Sequence, residues 1–140
     1  TPNHLFPALT FSMKDKKFSI KDRIRSFKYA FKGIHSLIRN EHNARIHLCA
    51  AILVVCAGFF FGITREEWIA VIFAIGFVFS AEAVNSAIEY VADAFTTEPH
   101  ELIGKAKDFA AGAVLLAAMA AAIIGSIIFI PYFRALLKTL

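Results

Sequence analysis

Four polar residues stand out in an otherwise apolar stretch. Glu82, Asn85, Glu89 and Asp93 follow one another at steps of three, four and four residues. In a helix that spacing draws one polar stripe down a single face. A carboxylate near a bilayer centre costs about 2.5–3.5 kcal/mol on insertion scales. Such groups therefore face a protein interior or a wet cavity and are functional candidates. The chemistry open to them is proton transfer and metal holding. A carboxylate beside an alcohol can accept the hydroxyl proton as the oxygen attacks, and Glu82 is the candidate base. Mg²⁺ carried by ATP wants hard oxygen ligands, and Glu89 and Glu41 are the candidates to hold it. Phosphoryl transfer also needs positive charge at the moving group, which Lys107 can supply. The same stripe could instead serve assembly, with Glu82 and Asn85 hydrogen-bonded across a helix interface. A small trimeric channel or proton-relay subunit without kinase activity is a further alternative. Neither a P-loop nor the protein-kinase signature set is present.

These residues need elements to place them, and composition identifies the elements. Hydrophobic residues make up 58% of the 140, above the usual share of about 45–50%. The 22 residues from Phe109 to Ile130 carry no charge. At about 1.5 Å per residue that run crosses a hydrocarbon core of about 30 Å. The expected fold is all-α, a membrane protein with three transmembrane helices at about 47–63, 68–94 and 107–130. Thr96 to Gly104 reads as a loop, marked by Pro99 and Gly104, and Pro131 is expected to stop or kink the last helix. Ahead of the spans, Ile20, Ile24, Phe27, Phe31, Ile34 and Ile38 recur at steps of four and three among lysines and arginines. That pattern predicts an amphipathic surface helix lying in the membrane interface. Residues 1–19 are expected to be a flexible tail and 20–140 a single membrane domain, without a secretory signal peptide.

Ten of the 15 Lys and Arg lie between Lys14 and Arg45, and Lys105 and Lys107 add two more beside the second loop. Only Arg65, Arg134 and Lys138 lie on the other side. The bias places the N-terminus and the second loop in the cytoplasm, and the adjoining spans account for the basic segment without a nucleic-acid partner. Depth follows from this. Trp68 marks the outer interface. Glu82 lies about 21 Å further along the axis, roughly 9 Å below the cytoplasmic edge. Glu89, about 31 Å from Trp68, reaches that edge. One carboxylate thus meets the lipid zone and the next can meet a soluble ligand. Cys49 and Cys56 are seven apart, with no metal-ligand spacing, and read as small buried hydrophobes. Ala110, Ala111, Gly112 and Ala113 are expected to permit close helix packing.

The stretch E-A-V-N-S-A-I-E-Y-V-A-D from Glu82 to Asp93 closely resembles the signature of the prokaryotic diacylglycerol kinase and undecaprenol kinase family. The following E-P-H-E-L-I-G-K-A-K-D-F-A-A-G-A-V-L-L, Glu98 to Leu116, and the earlier N-E-H-N-A-R-I-H, Asn40 to His47, are similar to the family's neighbouring segments. The likeness covers about residues 27–130. It implies an integral membrane lipid kinase, a homotrimer with active sites shared between subunits, in a bacterial inner membrane with the active site facing the cytoplasm. It implies transfer of the ATP γ-phosphate, with Mg²⁺, to a lipid alcohol. It further implies that Glu82 is the general base, that Glu41 and Glu89 bind metal, and that Tyr29, Glu98, His100, Lys107 and Asp108 contact nucleotide, with Asn85 at the active-site centre. The R-I-H ending at His47 is more like the undecaprenol branch, whereas E-x-x-N-S-A-I-E and H-E-L-x-G-x-A-K-D read like the diacylglycerol branch. Both lipids stay open.

Overall fold

The computed structural model describes residues 19–96 and 98–139, all of it helix and short connections. The expected tail falls outside the described residues except for Ser19. Four helices follow in order: α1 (Ile20–Asn40), α2 (His42–Phe61), α3 (Arg65–Phe95) and α4 (Glu101–Thr139). The last three are each long and apolar enough to cross a membrane.

Local chemistry explains where each helix begins and ends. Ser19 caps α1, its hydroxyl accepting from the Asp22 backbone N–H at 3.4 Å. Between α1 and α2 the chain breaks at Glu41 alone, whose backbone is extended (φ −94°, ψ 124°). Gly62 ends α2 in the left-handed conformation at φ 62°, which glycine adopts without a Cβ penalty. Thr64 and Glu67 then form a reciprocal capping box that starts α3, with the Thr64 N–H donating to Glu67 Oε2 at 2.7 Å.

The apolar stripe of α1 is exposed, Phe27 at 67% and Phe31 at 69%, and only Leu37 of that helix is buried. Large apolar side chains also point outward along the long helices, as at Phe59 and Phe109. A soluble fold would bury this surface; a bilayer or a neighbouring subunit removes the need.

Helices α3 and α4 make the principal packing of the chain. Two polar contacts fix their antiparallel register. Asp93 pairs with Lys107 at 3.0 Å at one end, and the Tyr132 hydroxyl donates to Glu67 at 2.8 Å at the other. The separations along the two helices match almost residue for residue. This register sets Ala117, which is fully buried, level with Glu82. Near the Glu67 end a cluster of Ile63, Val71, Ile128 and Phe129 closes the bundle, with Phe61 ringed by Phe129, Tyr132 and Phe133.

Four expectations need correction. Pro131 does not stop α4, which runs on to Thr139; the Tyr132–Glu67 bond and the Phe61 cluster hold the segment beyond it. The second loop is shorter than expected. Helix α4 starts at Glu101, and Gly104 already donates to the His100 carbonyl at 2.9 Å. Cys49 and Cys56 are exposed, because α2 packs on the rest of the chain far less than α4 does and turns an apolar flank outward. Of the four small residues at the start of α4, only Ala110 is buried. A Cβ on Gly112 would meet nothing within 4 Å. The small face that meets α3 continues instead through Val114 and Ala117.

Candidate active site

Along α3 the buried face runs through Val71, Ala74 and Val78 to Glu82, Asn85 and Ser86. It changes from apolar to polar in the half of the helix nearer the Asp93 end. Glu82 is 1% exposed and is the largest fully buried side chain among the described residues. Its Oε2 has no hydrogen-bond partner, and neither do Asn85 Oδ1 and Ser86 Oγ. Buried polar atoms are nearly always paired in native proteins. Three unpaired within two turns leave polar partners to be supplied from outside this single chain.

Other candidates gather around this point. Glu41, Glu89 and His47 all lie near Glu82. Asn85 Nδ2 donates to Glu89 Oε1 at 3.1 Å. The Tyr90 hydroxyl donates to Glu41 Oε1 at 3.0 Å. Glu41 owes its place to the helix break, since the extended residue between α1 and α2 brings its side chain to α3. Both outer carboxylates keep lone pairs beyond their single neutral donor, a hard-oxygen set suited to Mg²⁺ that is also held by phosphates. Among the described residues no group of three or more His, Cys, Asp or Glu side chains could hold a metal without such help.

A second group sits one turn further along α3, about 6 Å on. A pocket of about 720 Å³ between the end of α3 and the start of α4 is lined by Asp93, Glu98, Pro99, His100 and Lys107, among others. Three expected nucleotide positions, Glu98, His100 and Lys107, therefore share one pocket. Lys107 is held there by its ion pair with Asp93. Tyr29 and Asp108 do not line it; Tyr29 is 64% exposed on α1 and Asp108 is exposed on α4.

On the other side of Glu82 lies an apolar groove of about 490 Å³ between α2, α3 and α4. His47, Val78, Phe79 and Ala118 line it, so it ends within a turn of Glu82. The arrangement along α3 is thus apolar groove, buried carboxylate, pair of outer carboxylates, and a polar pocket that holds Lys107.

Sequence reasoning missed Tyr90, which had no signal, because its bond to Glu41 spans 49 residues. It placed Asp93 in the stripe but not its pairing with Lys107, which depends on the α3–α4 register.

A family model described as prokaryotic diacylglycerol kinase matches residues 28–129. The undecaprenol kinase of Bacillus subtilis (strain 168) is 39% identical over 118 residues, which is 84% of this chain and 96% of that protein. The diacylglycerol kinase of Haemophilus influenzae is 37% identical over 107 residues, 76% of this chain and 91% of that one. The diacylglycerol kinase of Escherichia coli (strain K12) is 33% identical over 110 residues, with shares of 79% and 90%.

Proposed function

The chain belongs to the prokaryotic diacylglycerol kinase family, and we propose that this membrane lipid kinase uses Glu82 as the base that activates a membrane lipid alcohol. The observation that carries the reading is the buried carboxylate of Glu82, unpaired at Oε2 and flanked by Glu41 and Glu89. The acceptor is diacylglycerol or undecaprenol, the two lipids in the relatives' names. Its hydrocarbon lies along the apolar groove and its hydroxyl meets Glu82.

The lipid hydroxyl donates its proton to Glu82 while its oxygen forms a bond to the γ-phosphorus of ATP. The bond from that phosphorus to the β-phosphate oxygen breaks, and ADP leaves with the electron pair. Glu41 and Glu89 hold Mg²⁺, which when bound neutralises charge on the phosphates. Tyr90 and Asn85 fix those two carboxylates. Lys107, steadied by Asp93, stabilises the transferring group, and Glu98, His100, Tyr29 and Asp108 contact the nucleotide. Tyr29 and Asp108 are exposed and line no part of that pocket in the single chain, which supports a homotrimer in which neighbouring subunits share each site. The bacterial relatives support a bacterial inner-membrane setting, and the excess of Lys and Arg before α2 supports a cytoplasmic N-terminus and active site. Residues 20–140 form the one membrane domain.

The test is phosphate transfer by the purified protein in mixed micelles with Mg-ATP, offering diacylglycerol and undecaprenol separately. Transfer to one or both is expected, and Glu82→Gln should abolish turnover while Mg-ATP still binds. Joint loss of binding and turnover would sink the base role. No transfer to either lipid, with proton flux in liposomes lacking ATP, would replace this reading by a relay.

A further inference from the structure

Ser86 is 6% exposed and its hydroxyl has no partner. A serine inside a helix has an easy way to satisfy itself, by donating to the carbonyl four residues back. Two other serines of this chain do so. Ser26 Oγ donates to the Asp22 carbonyl at 2.9 Å, and Ser126 Oγ to the Ala122 carbonyl at 2.8 Å. Both of those are exposed, where water would have served. Ser86 is buried, where water does not serve, and still leaves its own backbone alone. The carbonyl it declines is that of Glu82.

Four residues along a helix place Ser86 on nearly the same face as Glu82, about 6 Å nearer the nucleotide pocket. By its height along α3, Ser86 falls between Glu82 and the pocket that holds Lys107. The acceptor's reacting oxygen must come to this place, presenting its proton to Glu82 and its lone pair to phosphorus. Its other lone pair needs a donor once the lipid leaves water. Asn85 Nδ2 gives one of its two N–H groups to Glu89, and the Ser86 O–H is wholly uncommitted.

We infer that Ser86 is a further substrate-binding residue, whose hydroxyl donates a hydrogen bond to the oxygen of the lipid alcohol beside Glu82. The inference rests on the assignment of Glu82 as base. It predicts a loss confined to the lipid side. A neutral hydrogen bond of this kind changes affinity by about fivefold. Removing it costs no native hydrogen bond, because none exists without substrate.

The experiment uses the full chain in mixed micelles. Ser86→Ala should raise KM for the lipid about fivefold, leave KM for Mg-ATP unchanged and leave the Tm at least as high as the parent's. Ser86→Cys keeps the volume and weakens the hydrogen bond, and it should behave like the alanine variant. An unchanged lipid KM in Ser86→Ala would overturn the inference. So would normal behaviour of Ser86→Cys, which would make the effect one of packing. A lowered Tm with a weakened oligomer would assign the hydroxyl to a subunit contact and overturn it too. Glu82→Gln measured alongside separates the two claims. A dead Glu82→Gln with a normal Ser86→Ala removes Ser86 alone, whereas an active Glu82→Gln removes the base itself.

Discussion

The Tyr90 hydroxyl and Glu41 meet at 3.0 Å across the junction of α1, α2 and α3. The contact joins the only non-helical residue between two helices to the face of a third. It holds one outer carboxylate without adding a charge. Tyr90→Phe removes the donor and little else. The expected outcome is a rise of about 10-fold in the Mg²⁺ concentration for half-maximal activity, with kcat retained at saturating Mg²⁺. A Mg²⁺ titration of activity checks this, and an unmoved midpoint would detach Tyr90 from the metal side of the site.

Lys107 and Asp93 provide a graded test of the polar pocket between α3 and α4. Their pair is partly exposed, so its own contribution to stability is small. Its value lies in where it leaves the ammonium. Lys107→Met should lower kcat by about 10²–10³, the usual cost of deleting one preorganised charge at a transferring group. Asp93→Asn leaves the charge and removes its anchor, and it should raise KM for Mg-ATP with a much smaller fall in kcat. Steady-state kinetics in ATP decide it; equal losses in the two variants would give Asp93 a direct part in the chemistry.

How much of this was legible beforehand depended on the range of each interaction. The steps of four and three from Ile20 to Ile38 predicted α1, because helix periodicity is local. The spacing from Glu82 to Asp93 predicted the stripe for the same reason. The Tyr90–Glu41 bond depends on how three helices meet, and nothing within a few residues of either encodes it. A stop at Pro131 was one of two expected outcomes and does not occur, because the rule for proline is local, while α4 is held beyond it by Phe61 and Glu67 from other helices. Cys49 and Cys56 misled because apolar means buried in water but not in a bilayer. Ser86 looked like any other helical serine until its missing partner could be seen.

Glu82 should trade stability against activity. An unpaired buried carboxylate oxygen is costly to the folded state. Glu82→Gln keeps the shape and removes the charge, so the inactive variant should unfold at a Tm equal to or above that of the parent in the same detergent. The gain expected is about 1–2 kcal/mol. A clear fall in Tm, together with loss of the oligomer, would mean that the carboxylate holds subunits together and would favour the assembly reading of the stripe.

Gly58 marks a close approach far from the chemistry, and it tests the packing independently. A Cβ placed there would stand 2.8 Å from the Trp68 ring and 3.1 Å from Ile63. The ring has little room to yield, since it lies against Phe59 with centroids 4.9 Å apart. Gly58→Ala should therefore cost about 1–3 kcal/mol, the usual penalty of overpacking, less the small gain alanine brings to a helix. Trp68→Leu alone should also destabilise, by losing the ring's contacts. The double variant is the informative one. If the ring is what the new methyl meets, the two losses will be strongly non-additive, and the pair will unfold above the sum of the single effects. Thermal unfolding of the four proteins in one detergent closes the cycle. Additive losses would show that α2 can shift away from α3 at this end. In either case KM for lipid and for Mg-ATP should stay at parental values, because the contact lies at the opposite end of α3 from Glu89 and Asp93.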